Sequence, residues 1–183
     1  MALEGRCLGA LIHEDLTKIK EWRNSQIDTL RQWKPLTDQN QEEWFQRISK
    51  DESQAVFAIR SLIGDKEELI GYCALVRIDT VNRRAELSFL VDPSRAQDKD
   101  LYENDMRCSL ALLCAYGFDQ MALHKIFTET FEFRKEHMSI LEDFGFRKEG
   151  SMRDHQWKKG RFWDSILHSM LEQEWREIRG KWF

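Results

Sequence analysis

The run AELSFLV at 85–91 holds a single acid, and strand alternation puts Glu86, Ser88 and Leu90 on one face of it. A carboxylate within so apolar a strand needs a charged partner or a chemical task, because burying it alone is costly. The task open to it is proton acceptance, as a general base toward an incoming ammonium; the structural alternative is a solvated ion pair with Arg83 or Arg84. Cys73, Cys108 and Cys114 give no sign of an activated thiol, which needs a positive neighbour or a base at hand. With Cys7 they form no C-x-x-C pair and have no His at metal spacing, so neither a metal site nor a disulfide framework is expected.

Charge limits the partners. The chain has 28 Lys and Arg against 32 Asp and Glu, a net charge of −4, which argues against nucleic acid as a partner. Basic residues gather at Arg147, Lys148, Lys158, Lys159 and Arg161, and again at Arg176, Arg179 and Lys181; solvated turns and a frayed terminus account for them.

The elements that must position such groups follow from periodicity. HEDLTKIKEW (13–22) places Leu16, Ile19 and Trp22 on one helical face, and Thr37 and Asp38 offer caps for a second helix that buries Trp44, Phe45 and Ile48. AVFAIRSL (55–62) and LIGYCALVRI (69–78) read as strands joined at Gly64-Asp65, with AELSFLV as a third. From about Leu101 to Phe118, Met106, Leu110, Leu113 and Gly117 form the stripe of a long amphipathic helix. KIFTETFEF (125–133) is a strand, and KEHMSILEDFGF a helix with Met138, Leu141 and Phe144 inward and Gly145 as its cap. A hairpin around Lys159-Gly160 closes the order, which predicts an α+β (mixed α/β) fold on one sheet.

Length and composition predict one domain over residues 1–183: 42% hydrophobic and 33% charged residues, two prolines, no linker and no repeat. No run reaches the roughly 18 apolar residues of a membrane span, and the opening MALEGRCLGALIHED meets acids too early for a signal peptide. The cytoplasm is the expected location.

Taken in order, IGYCAL (70–75), NRRAELSFLV (82–91), LHKIFTETFEF (123–133), LEDFGFRKEGSMRD (141–154) and GRFWDSILHSMLEQEW (160–175) resemble the Gcn5-related N-acetyltransferases (GNAT). The likeness is to the branch holding the RimJ and RimL ribosomal-protein and SpeG spermidine acetyltransferases. EWRN (21–24) with LTDQNQEEWF looks like the first helices of acetyltransferases acting on amino sugars.

This resemblance implies a mostly antiparallel sheet with one splayed parallel pair, and acetyl-CoA as cosubstrate without a metal. Direct transfer to a primary amine (amino sugar, polyamine or protein N-terminus) would follow, with no membrane or nucleic-acid partner and a homodimer. It puts the pantetheine arm beside Phe89, Leu90 and Val91. The family's glycine-rich pyrophosphate turn falls near Tyr102, Asn104 and Met106, in a stretch without glycine where Arg95 or Lys99 would supply positive charge. Where relatives carry Asn and, seven residues on, a Tyr acid, this chain has Arg134 and Leu141; RimL-like relatives use a Ser where this chain has His137. Imidazole titrates near 6.5 and would serve as the acid; the alternative is a helix histidine without a role. Glu86 stays the candidate base from its place in the strand; where RimL-like relatives place a catalytic Glu, this chain has Gln156, an amide that cannot accept the proton. Arg23, Trp33 and Trp157 would wall the acceptor pocket, Arg23 reading an acidic or phosphorylated part. A member that binds CoA without catalysis is the alternative function.

Overall fold

The computed structural model describes residues 2–63 and 66–183. It opens with two strands that periodicity does not announce, β1 (Ala2–Leu3) and β2 (Arg6–Ala10), joined through Glu4 and Gly5, both at positive φ. Helix α1 (Leu16–Ser25) buries Leu16, Ile19 and Trp22, the predicted face. Helix α2 (Asp38–Ile48) starts at Thr37, whose hydroxyl accepts from the Asn40 N–H at 3.2 Å. Trp44, Phe45 and Ile48 are only half-buried on α2, because it packs chiefly on α1 rather than on the sheet.

Strands β3 (Ala55–Ile63), β4 (Lys66–Asp79) and β5 (Arg84–Val91) form the meander; the expected Gly64-Asp65 turn lies outside the described residues. A short α3 (Pro93–Gln97) leads into α4 (Lys99–Cys114), which ends in one wider π turn at Ala115–Gln120. Next come β6 (Lys125–Phe131), α5 (Lys135–Phe144) and the hairpin β7 (Arg147–Lys158) and β8 (Arg161–Leu171). Gly145 stops α5 at φ 123°, a conformation that L side chains rarely adopt.

The eight strands of the described residues lie in one sheet, ordered β1-β2-β3-β4-β5-β6-β8-β7, antiparallel except for β5 and β6. One face packs on α4 and α5 through Leu75, Leu87, Phe89, Met106, Leu110 and Leu141; the other buries Leu69, Tyr72 and Leu90 under Ile19 and Trp22. Gly71 lets β4 lie close to the end of β5, since a Cβ there would stand 2.3 Å from the Leu90 carbonyl oxygen. The tail LEQEWREIRGKWF folds back as α6 (Glu172–Ile178), and Trp175 is buried against Phe118 and Phe144. That ring belongs to the core of its own chain and is not available to a dimer partner.

Candidate active site

β5 and β6 pair at only three positions, Arg84–Lys125, Ala85–Ile126 and Glu86–Phe127, and then part. The Asp92 N–H donates to the Ile70 carbonyl at 2.8 Å; with the β4–β5 register this makes Glu86, Ser88 and Leu90 the residues bonded to β4. The backbone groups of Leu87, Phe89 and Val91 therefore point toward β6 across the gap. From the other side Lys125 N–H donates to Arg83, so Glu129 and Phe131 turn theirs toward β5. A cleft of about 300 Å³ fills the splay, lined by residues 87–89 and 128–131, by Arg23, residues 29–32 and Tyr72, and by Arg134 and His137 at the start of α5.

On the helix side, α4 and α5 bring three polar groups into one directed chain. Arg134 Nη2 donates to Tyr102 Oη at 2.9 Å, and Tyr102 Oη lies 2.6 Å from His137 Nδ1. A guanidinium only donates, so the tyrosine hydroxyl accepts from Arg134 and gives its own proton to Nδ1. Arg134 Nη2 also stands 3.3 Å from Nδ1, which leaves the imidazole proton on Nε2. Burial, with the charges of Arg134 and His168, holds His137 well below the usual histidine range, so the ring is neutral. Burial also raises the Tyr102 phenol, against the opposing pull of Arg134, and keeps it protonated.

On the other face of the sheet, Glu129 presents its carboxylate at the cleft. Its Oε1 accepts from Ser165 Oγ at 2.8 Å with His155 Nε2 3.7 Å away, and its Oε2 accepts from Arg31 at 3.1 Å. Arg31 also clasps Glu86.

The acetyltransferase (GNAT) domain model matches residues 8–167. The chain belongs to the GNAT acetyltransferase family. It is 27% identical over 158 residues to an uncharacterized N-acetyltransferase p20 of Bacillus licheniformis, covering 84% of this chain and 85% of the relative. A putative ribosomal N-acetyltransferase YdaF of Bacillus subtilis is 25% identical over 107 residues, 58% of this chain and 56% of that one. In fold it matches the spermidine N-acetyltransferase from Vibrio cholerae in complex with CoA and spermine, with a TM-score of 0.83 over 94% of this chain and 98% of that one, at 22% identity.

In this GNAT acetyltransferase the cleft wall gathers Phe89, Arg134, His137 and Arg23 from the candidate site residues of the sequence, Val91 turns its backbone toward the same gap, and the rest are not in the wall. Glu86 is 1% exposed, with Oε1 held by Arg31. Arg77 Nη1 lies 3.0 Å from its Oε2 at an angle too poor for a hydrogen bond, so it supplies charge there but no donor. Glu86 thus answers to Arg31 and Arg77 rather than to Arg83 or Arg84, and its side chain is absent from the cleft wall. The Leu90 side chain packs on Ile19 and Trp22, and the Val91 carbonyl accepts from Gln26 Nε2 at 2.8 Å.

Tyr102, Asn104 and Met106 lie within α4, where backbone N–H groups serve the helix and cannot cradle a phosphate. Asn104 faces Glu4 and Arg6, and Met106 is fully buried. The N-termini of α3 and α4 are capped by Asp92 and Asp98, which accept from Ser94 and Leu101. Arg95, expected to face a phosphate, is engaged by Asp105. Trp33 is 82% exposed, although Lys158 anchors the neighbouring Gln32 carbonyl at 2.5 Å; Trp157 lies near the outer end of β7 against Phe162. Neither ring lines the cleft.

Burial raises the thiols of Cys73 and Cys114 above the ordinary range, and that of Cys108 to about 11, so none is a nucleophile. Among the described residues no cluster of His, Cys, Asp and Glu could hold a metal ion, and no helix is long and apolar enough to cross a membrane. Sequence reasoning missed Glu129. Its signal was an acid in KIFTETFEF, a strand otherwise apolar and hydroxyl-bearing from Ile126 to Phe131.

Proposed function

We propose that this acetyltransferase uses acetyl-CoA to acetylate a small primary amine, and the observation that carries the reading is the parting of β5 and β6 after Glu86–Phe127. The gap leaves N–H and C=O groups of Phe89 and Val91 without a strand partner, apart from the carbonyl that Gln26 takes. An amide-bearing pantetheine arm fits such an edge as an added strand would. At the diphosphate end the fit is poorer, since Asp92 and Asp98 already cap both helices there. Bound acetyl-CoA supplies an acetyl group activated as a thioester. A small acceptor agrees with a cleft of about 300 Å³, and the Vibrio cholerae enzyme of the same fold is in complex with CoA and spermine.

In this reading Glu129, rather than Glu86, takes the proton of the incoming ammonium. The freed amine then attacks the thioester carbonyl and the C–S bond breaks, His137 giving its Nε2 proton to the departing thiolate while Nδ1 receives the Tyr102 proton. Arg134 steadies the phenolate that this leaves behind. The second proton of the attacking nitrogen leaves to solvent as the amide forms, and solvent returns a proton to Tyr102. Tyr102 acts through His137 and is a positioning and relay residue.

Titration calorimetry with acetyl-CoA and desulfo-CoA tests the reading first, followed by thiol release with a panel of amines. Binding should raise the unfolding midpoint, with stabilisation of roughly 2.7 kcal/mol at a hundredfold excess over the dissociation constant. No heat and no thermal shift at millimolar acetyl-CoA would sink it. A cytoplasmic location and a homodimer belong to the same reading; sedimentation at micromolar concentration giving one 21.9 kDa species would exclude the dimer.

A further inference from the structure

The charged groups of the cleft wall are Arg23, Arg31, Arg134 and a single carboxylate, Glu129, beside a neutral His137. Arg31 is matched by Glu129 and Glu86. Arg23 and Arg134 have no acidic partner among the described residues: Arg134 donates to Tyr102, and Arg23 Nε donates to Gln32 Oε1 at 3.1 Å. Gln32 is itself fixed, its Nε2 donating to Asn24 Oδ1 at 3.0 Å, and Asn24 is locked to both backbone groups of Leu36. The Arg23 guanidinium is therefore held by its Nε edge from a rigid amide network. Its two terminal nitrogens, for which the described residues offer no hydrogen-bond partner, form the fork that matches a carboxylate or phosphate.

We infer that the acceptor is a primary amine carrying an anionic group, carboxylate or phosphate, which Arg23 grips while the amine lies toward Glu129. This rests on the acetyl-transfer reading and narrows its substrate class. A polyamine is disfavoured, because its second ammonium would face two guanidinium groups without acids in a partly enclosed cleft, where like charges are poorly screened. The acceptor preference thus departs from that of the spermine-bound enzyme whose fold the chain shares.

The test uses matched probes on the whole enzyme: glucosamine against glucosamine 6-phosphate, butylamine against 4-aminobutyrate, and spermidine. Each anionic member should exceed its neutral or cationic counterpart about tenfold or more in kcat/KM, with spermidine poorest, and the better of the two anionic pairs tells phosphate from carboxylate. In Arg23→Gln the ratio within each pair should fall to about threefold or less, and Arg23→Glu should favour spermidine. Calorimetry with the same probes in the presence of CoA reads the preference without turnover. An anionic preference in binding with no transfer to any amine would overturn the acetyl-transfer reading and leave the charge rule standing. Preference for spermidine by the wild type, or an anionic preference undiminished in Arg23→Gln, would overturn the inference.

Discussion

Replacing His137 by Ala is expected to lower the turnover number about ten to a thousandfold with little change in acetyl-CoA affinity, the range of a lost general acid. The expectation rests on the directed chain Arg134 to Tyr102 to His137, which ends in an Nε2–H at the cleft. His137→Gln should behave similarly, since an amide can offer a hydrogen bond but cannot pass a proton from one side of the ring to the other. Tyr102→Phe removes the supplying hydroxyl and should lower turnover by about tenfold, again with unchanged cofactor affinity. Steady-state kinetics paired with calorimetry separates the cases: weaker acetyl-CoA binding with intact turnover would make His137 a packing residue.

The pH dependence has a definite sign. The His137 pKa is depressed in the folded protein, so from about 6.5 downward the unfolded chain takes a proton that the folded one refuses. Its stabilising contribution is complete above about pH 6.5 and is lost as pH falls toward the folded value, a slope that His137→Gln should lack. Turnover, for its part, should show no titration near 6.5 from this ring, because it is already neutral there. An acidic limb at 6.5 that disappears in His137→Gln would contradict the relay and restore a titrating imidazole.

Asp105→Ala should cost about 3 to 5 kcal/mol of stability. The carboxylate is fully buried, takes Arg95 on both oxygens at 2.5 and 2.8 Å and accepts from Arg6 Nε at 3.0 Å. It ties β2, α3 and α4 together at the elbow that follows β5. The lower end of the range is favoured because both arginines keep some exposure, 14% and 19% of their side chains, and can turn to water. Arg95→Ala should be milder, since Asp105 retains Arg6. Urea unfolding decides the matter, and a change of less than about 1 kcal/mol for Asp105→Ala would show that the elbow is held by packing alone.

Elements governed by short-range periodicity were legible along the chain. The α1 face of Leu16, Ile19 and Trp22, the Thr37 cap, the inward Met138, Leu141 and Phe144, and the Gly145 stop all depend on residues within a few positions of one another. β1, with only two residues, offers no alternation to read, and α6 forms where the basic residues suggested a frayed terminus. In the cleft, Phe89, Arg134, His137 and Arg23 were marked in the sequence through their places in a family pattern. Glu86 was marked by its anomaly within a strand, and that anomaly had a different cause: Arg31, 55 positions away, and Arg77 neutralise it.

The sequence by itself determined the order of the main elements from α1 to β8, the family, and the residue types available for proton transfer, because each follows from local spacing and side-chain chemistry. Only the tertiary structure decided which of those groups meet. Tyr102 and His137 stand 35 positions apart and Arg31 and Glu129 stand 98 apart, separations across which no periodicity runs. The protonation state of His137 was decided the same way. Burial and the neighbouring Arg134 charge set it, and both are properties of the packed interior that a linear pattern does not contain.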